Sequence, residues 1–182
     1  NFLFLVNQGI DILRIDAVPY IWKEMGTSCR NLPQVHTIVR MMRMIGEIVC
    51  PSVVLLGEVV MEPEKVVPYF GTIEKPECHM LYNVTMMATT WNTVATRDTR
   101  LLRMQLDIMN ILPKEYTFLN YLRCHDDIGW GLDFQTLAGW GMQEVPHKRY
   151  LNDFFTGKIA ESVSRGELYN EDPITGDARF CA

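Results

Sequence analysis

The sequence lacks the cysteine spacing of the common zinc and disulfide proteins. No two cysteines stand in a C-x-x-C pair, and the five that are present are odd in number and scattered along the chain. This distribution predicts neither a structural zinc site nor a complete disulfide framework. Free thiols are typical of a reducing compartment, which favours a cytoplasmic protein over a secreted one.

Long apolar runs and an excess of positive charge are missing as well. No apolar stretch reaches the length of a membrane span, no signal peptide is visible, and the net charge is -5. Nucleic acids and anionic membranes usually require a basic patch, so we predict neither as a partner. The chain begins at Asn1 without a methionine, and we expect it to be a piece of a longer protein.

What the chain does have is apolar sequence arranged as alternating strands and helices. Hydrophobic residues make up 48% of the chain, which is enough to bury a core. Strands are predicted over 11–17, 53–58, 77–83 and 116–124, and helices over 1–8, 34–49, 62–70, 85–109 and 147–163. Nearly continuous apolar strands separated by helices predict an α/β fold with a parallel sheet covered on both faces.

Three of the four predicted strands end in an acidic residue. These residues are Asp16, Glu58 and Asp126. Side chains alternate along a strand, and each acid shares the parity of its strand's inward-facing positions. The carboxyl ends of parallel strands meet at one edge, where such folds keep their chemistry. We therefore expect the three carboxylates to converge.

Three converging carboxylates are compatible with a metal site, a glycosidase site or structural ion pairs. A magnesium or manganese site favours ionised acids with few competing cations, and Arg14 and Arg123 weaken that interpretation. A glycosidase uses one ionised and one protonated acid. Arg14 suits an ionised Asp16, while the apolar residues before Glu58 suit a protonated side chain. The residues alone leave all three possibilities open.

At this point the sequence resembles a known family. Arg14-Ile-Asp16-Ala17, Gly57-Glu58 and His125-Asp126 resemble, in the correct order, three blocks of glycoside hydrolase family 13, the α-amylase family. Longer stretches over 22–29, 91–97, 124–130 and 172–179 are similar to its amylosucrase branch. The resemblance extends over the whole chain.

This resemblance implies a partial (β/α)8 TIM barrel. Residues 1–130 would contribute barrel strands four to seven, with the active site at their carboxyl ends. Residues 131–182 would form an incomplete capping subdomain inserted between strands seven and eight. Neither a cofactor nor a metal is implied.

The resemblance also assigns roles to residues at the strand ends. Asp16 would be the nucleophile that forms a β-glucosyl-enzyme, and Glu58 would be the general acid and base. Asp126 and His125 would bind the distorted sugar ring. Arg14 would orient Asp16 and keep it ionised.

Three further residues match substrate-binding positions of amylosucrases, namely Asp127, Lys148 and Arg179. Lysine stands at 148 where amylosucrases tend to have arginine, and lysine lacks the bidentate fork of a guanidinium. The implied activity is a retaining α-transglucosylase that takes glucose from sucrose, releases fructose and extends an α-glucan such as glycogen. A sucrose hydrolase, another family 13 α-glucosidase or a truncated non-catalytic carbohydrate-binding fragment are the alternatives.

Overall fold

Two compact units make up the chain. The computed structural model describes residues 1–61, 63–126 and 128–181. The first unit consists of Asn1–Asn83 with Pro113–Leu119, and the second consists of Val84–Leu112 with Asn120–Ala182. The sequence predicts a different division, with residues 1–130 in the barrel and residues 131–182 in a capping subdomain. That division stays a prediction.

The first unit is built on a parallel sheet of four strands in the order β1-β2-β3-β4. Its strands are β1 (Ile12–Ile15), β2 (Val54–Gly57), β3 (Met80–Tyr82) and β4 (Thr117–Leu119). Its helices are α1 (Phe2–Asn7), α2 (Pro33–Val49) and α3 (Pro63–Val66), with 3₁₀ turns at Val18–Tyr20 and Val67–Phe70. The predicted parallel sheet with helical crossovers is thereby confirmed.

The two faces of this sheet carry different side chains. Arg14 lies beside Leu56 and Leu56 beside Met80, so these three residues share one face. The opposite face is covered by α2 and by the segment around Phe70. The buried core of this unit contains Val18, Val35, Val39, Val59, Met61, Val66, Tyr69, Phe70, Cys78 and Leu81. Burying this apolar surface is the main force that holds the sheet against α2.

The fourth strand is much shorter than predicted. Sequence periodicity predicts a strand over 116–124, whereas β4 ends at Leu119. Its last parallel contact is the Asn83 N–H donated to the Leu119 carbonyl over 3.0 Å, and the neighbouring chain enters a helix at Val84. Among the described residues, those after Leu119 pair with no further strand of this sheet, so the prediction of a strand over 116–124 that leads into Asp126 is wrong.

The second unit is mostly helical. It contains α4 (Val84–Thr96), α5 (Arg100–Asn110), α6 (Phe134–Gly139), α7 (Glu144–Phe155) and an antiparallel pair, β5 (Glu167–Tyr169) and β6 (Arg179–Cys181). Phe155 packs between the rings of Trp130 and Phe180, with ring centroids 5.5 and 5.2 Å away. None of the helices in the described part of the chain combines the length and the apolar character that a membrane crossing requires.

Two helices of this unit differ from prediction because backbone turns interrupt them. The helix predicted over 85–109 is two helices, since Arg97 adopts a left-handed conformation (φ 57°) and Asp98 accepts the N–H of Arg100 over 2.9 Å. The helix predicted over 147–163 ends at Phe155 because the chain turns at Gly157 (φ 72°), where a side chain would collide with the Ser164 carbonyl.

Candidate active site

Arg14 lies at the centre of a charged cluster at the carboxyl edge of the sheet. Its Nη1 is 2.6 Å from Oδ1 of Asp16, which follows β1. Its Nη2 is 2.9 Å from Oε1 of Glu58, which follows β2. The structure thus brings together the two carboxylates expected to react and joins them through a single guanidinium.

Backbone hydrogen bonds fix the position of Glu58 relative to the turn after β1. The Glu58 Oε2 accepts the Ala17 N–H over 3.0 Å, and the Glu58 carbonyl accepts the Val18 N–H over 3.1 Å. Ala17 can donate in this direction because its backbone is left-handed, with φ 44° and ψ 46°. The end of β2 is therefore attached to the segment that carries Asp16.

The two carboxylates differ in their exposure to solvent. The Asp16 side chain is 72% exposed and the Glu58 side chain is 9% exposed. The sequence predicts an apolar environment for Glu58, and the structure adds the ion pair with Arg14. Burial favours the neutral form of a carboxyl group and a nearby guanidinium favours the charged form, so the environment of Glu58 combines two opposing effects.

Tyr82, at the end of β3, provides the third contact of the Arg14 guanidinium. The Arg14 Nε donates to the Tyr82 hydroxyl over 3.1 Å, and the guanidinium carbon lies 5.4 Å from the centre of the ring. Burial alone would lower the pKa of Arg14, but the hydrogen bonds to Asp16 and Tyr82 and the charge of Glu58 raise this pKa above its ordinary value. Arg14 is therefore a permanent cation.

Sequence reasoning missed Tyr82, because its place near the acids depends on the strand register that the structure supplies. Met80 lies in register with Leu56 and hence with Arg14. Tyr82 comes two residues later on the same face and at the same edge. Combining strand parity with register would have placed its hydroxyl near the acids.

His125 and Asp126 lie in the second unit, in an irregular segment. The His125 Nε2 is 3.4 Å from Oδ1 of Asp126, and both side chains are more than half exposed. Cys124 brings a third ligand atom, all three lying within 4.8 Å of one another. Among the described residues they form a group of three whose ligand atoms lie close enough together for a metal ion, although zinc sites usually have four ligands. Asp127 lies outside the described residues, so its role stays a prediction.

Lys148, on α7, is buried in an ion triad. Its Nζ lies 2.6 Å from Glu144 and 2.7 Å from Asp177, and its side chain is 6% exposed. Burial disfavours the charged form, but the hydrogen bonds to Asp177 and Glu144 outweigh it and raise the pKa of Lys148. The triad attaches α7 to the turn before β6. The predicted sugar contact of Lys148 stays a prediction.

Arg179 lies on β6, beside the segment that follows Asp126. Ile128 and Phe180 exchange two backbone hydrogen bonds of 3.0 Å, which brings β6 against this segment. A Cβ added to Gly129 would fall 2.4 Å from Nη1 of Arg179, so the glycine leaves room for the guanidinium. The Arg179 guanidinium is exposed and makes no hydrogen bond or ion pair within the part of the chain that the structure describes.

The parallel sheet and the order of the sequence blocks match one family of carbohydrate enzymes. The family model of the α-amylase catalytic domain matches residues 2–128. The chain belongs to glycoside hydrolase family 13. Its α/β fold with four parallel strands is consistent with part of the (β/α)8 barrel of family 13.

The chain is similar in sequence to several curated proteins. It is 34% identical over 128 residues to the glucosylglycerate phosphorylase of Spirochaeta thermophila, covering 70% of the chain and 22% of that protein. It is 32% identical over 126 residues to the trehalose synthase of Thermus thermophilus, covering 69% of the chain and 13% of that protein. The chain therefore spans less than a quarter of the length of these relatives.

A solved structure extends the likeness to nearly the whole chain. The crystal structure of sucrose 6F-phosphate phosphorylase from Thermoanaerobacter thermosaccharolyticum superposes with a TM-score of 0.68 at 22% identity. The match covers 98% of this chain and 32% of that one. At this identity the likeness establishes the family 13 fold.

Proposed function

We propose that this chain carries the reacting carboxylates of a retaining family 13 enzyme that transfers glucosyl groups. The observation that supports this most is the single guanidinium of Arg14, which is hydrogen-bonded to an exposed Asp16 and ion-paired with a buried Glu58. Retaining glycosidases hold their two carboxyl groups ~5–5.5 Å apart, and sharing one guanidinium suits so close a pair.

The first step forms a covalent intermediate. A carboxylate oxygen of Asp16 attacks the anomeric carbon of the donor glucose as the bond to the leaving oxygen breaks. Glu58 gives its proton to that oxygen, which leaves as the fructosyl hydroxyl if the donor is sucrose. The products are the β-glucosyl ester of Asp16 and an ionised Glu58.

The second step reverses these roles. Ionised Glu58 removes the proton of an acceptor hydroxyl, whose oxygen attacks the anomeric carbon and displaces the Asp16 carboxylate. Two inversions give overall retention. Arg14 favours the ionised form of Glu58 at this stage.

The remaining assignments rest on the family resemblance. In this proposal β1 to β4 are strands four to seven of the barrel, and residues 131–182 belong to a cap over the pocket. Asp126, His125 and Asp127 bind the hydroxyls of the glucosyl ring. Lys148 and Arg179 belong to the sucrose and acceptor subsites.

For the acceptor, we propose an α-glucan, with sucrose as the donor, as in amylosucrases. The stretches over 22–29 and 124–130 support this choice. Phosphate is the second candidate, because Arg179 is an exposed and unengaged guanidinium within the described chain and curated relatives are named phosphorylases. A guanidinium is well suited to a phosphate group.

Product analysis of the intact protein separates these candidates. Sucrose would be supplied alone, with glycogen, or with inorganic phosphate, and fructose, glucose, elongated glucan and glucose 1-phosphate would be measured. Elongated glucan supports the amylosucrase proposal, glucose 1-phosphate the phosphorylase, and glucose alone the hydrolase. Absence of fructose in all three mixtures would contradict sucrose as donor.

The isolated 182 residues are a separate case. In the described chain β1 and β4 are the edges of an open parallel sheet. Unpaired sheet edges promote association between molecules, and a barrel normally removes them by closing. We therefore expect this stretch alone to be inactive and prone to aggregation, which sucrose turnover and light scattering on the isolated chain would check.

A further inference from the structure

We propose that Tyr82 is a positioning residue that holds the Arg14 guanidinium so that it serves Asp16 and Glu58 at the same time. The inference rests on the proposed function of that acid pair. It assigns Tyr82 no contact with the reacting atoms, because its hydroxyl acts through Arg14.

The geometry gives each guanidinium nitrogen a separate partner from a separate strand. Nη1 meets Asp16 after β1, Nη2 meets Glu58 after β2, and Nε meets Tyr82 at the end of β3. A planar group that is hydrogen-bonded through Nε and Nη1 and ion-paired through Nη2 has its position and its plane restricted by all three partners. Asp16 alone would hold it poorly, since that side chain is 72% exposed.

The chemistry of the third partner matters as much as its position. A carboxylate can take a guanidinium side-on through Nε and one Nη, or end-on through both Nη groups. The Tyr82 hydroxyl occupies Nε, which blocks the side-on fork for either acid. Because the hydroxyl is neutral, it adds no third charge to compete for Arg14, and each Nη remains available for one carboxylate.

The contribution of the Tyr82 hydroxyl can be tested separately from that of its ring. The Tyr82 ring lies within cation–π range of Arg14, at 5.4 Å, and phenylalanine keeps that ring. Tyr82→Phe therefore removes the hydroxyl and its hydrogen bond with Arg14. Tyr116 offers a matched control in the same unit, because its half-buried hydroxyl donates over 2.8 Å to the Gly71 carbonyl, away from the acids.

The experiment measures kcat, KM and melting temperature of the intact enzyme. Tyr82→Phe is expected to lower kcat for fructose release by about 10-fold, the effect of losing one hydrogen bond to a charged group, with KM within about twofold. Tyr116→Phe is expected to keep kcat. An unchanged kcat in Tyr82→Phe, or an effect confined to KM, would overturn the inference.

A double-mutant cycle tests whether Tyr82 acts through Arg14. Lysine at position 14 has no Nε, so Arg14→Lys already loses the contact with Tyr82. Adding Tyr82→Phe to Arg14→Lys is then expected to change kcat by less than about twofold. Independent, multiplicative effects of the two substitutions would show that Tyr82 does not act through Arg14.

Asp16→Asn in the same series separates this inference from the proposed function. An inactive Asp16→Asn together with a fully active Tyr82→Phe refutes only the positioning role. An Asp16→Asn variant that still turns over sucrose refutes the role of the acid pair and the positioning role with it.

Discussion

Glu58 and Glu77 are both buried glutamates of the first unit, and each faces an arginine, yet they differ in what surrounds that arginine. Glu77 precedes β3, at the amino edge of the sheet, and is 2% exposed. Glu58 follows β2, at the carboxyl edge. In βα barrels the carboxyl edge holds the chemistry, whereas features of the amino edge serve stability.

The partners of Glu77 come from one helix. His36 Nδ1 lies 2.8 Å from its Oε2 and Arg40 Nη2 lies 2.8 Å from its Oε1, and the two residues are one turn apart on α2. The Glu77 N–H is donated to the Phe70 carbonyl over 2.9 Å. Together these contacts attach α2 to the entrance of β3, which is a structural task.

The partner of Glu58, by contrast, also bonds a solvent-exposed acid. Arg14 connects Glu58 to Asp16, so one charged group of the cluster faces solvent and can meet a substrate. The comparison teaches that a buried glutamate beside an arginine is not itself a sign of catalysis. What distinguishes the candidate site is the sharing of the cation between a buried and an exposed carboxylate.

The largest effect is expected from removing the exposed acid of the site, Asp16. Asp16→Asn in the intact enzyme is expected to lower kcat by at least about 10⁴-fold, because an amide cannot form the glucosyl ester. Fructose release from sucrose measures this. Asp153→Asn is the control, since Asp153 is an exposed acid that faces Lys158 at 3.4 Å. Activity above about 1% of the native value would contradict the assignment.

Removing the buried acid of the site should have the next largest effect. Glu58→Gln is expected to lower kcat with sucrose by about 10²–10⁴-fold, because the leaving oxygen then receives no proton. The loss should be much smaller with α-glucosyl fluoride, whose leaving group requires no protonation. Equal losses with the two donors would show that Glu58 is not the acid.

The same change at the amino edge should affect stability and leave chemistry intact. Glu77→Gln is expected to reduce the free energy of unfolding by about 2–3 kcal/mol, because the Arg40 guanidinium loses its carboxylate and the hydrogen bond with His36 is weakened. Urea unfolding of the intact protein measures this, with kcat per folded molecule unchanged. Glu74→Gln, an exposed neighbour, is the control. Loss of activity without loss of stability would contradict the contrast between the edges.

The last prediction is a pH dependence of stability at the amino edge. His79 Nδ1 accepts the Leu55 N–H over 2.9 Å, and burial together with the charge of Arg43 lowers the pKa of His79 from 6.5 to about 4. Because the fold favours neutral His79, this contribution to stability is complete above about pH 6.5 and is lost as the pH falls towards 4.

Unfolding midpoints across that pH range would measure the contribution of His79. His79→Asn keeps an acceptor for the Leu55 N–H but does not titrate there, so its midpoint should fall less with acid. Identical pH profiles for the two proteins would contradict the argument.

Much of the fold was predictable because its signals are local. Apolar runs separated by helical patterns predicted the four parallel strands, and the family assignment from three short blocks is confirmed. The Arg14–Asp16 pair was predictable because Asp16 comes two residues after Arg14, immediately after β1. Each of these signals is contained within a few consecutive residues.

What could not be predicted depends on neighbouring strands. The end of β4 is set by where β3 gives way to a helix at Val84, which no property of residues 116–124 encodes. The contacts of Arg14 with Glu58 and Tyr82 bridge residues far apart in sequence and require the register of β1, β2 and β3. Asp126 has the sequence spacing of an inward-facing strand residue, but within the described residues it belongs to no strand.

The left-handed backbone of Ala17 has a consequence for engineering. This conformation costs an alanine about 1 kcal/mol relative to glycine, so Ala17→Gly is the kind of substitution that a search for thermostable variants selects. Yet alanine is less flexible than glycine, and in this conformation its N–H donates to the Glu58 carboxylate. A more flexible residue there would let the two carboxylates drift apart, and a more heat-resistant protein would become a slower one.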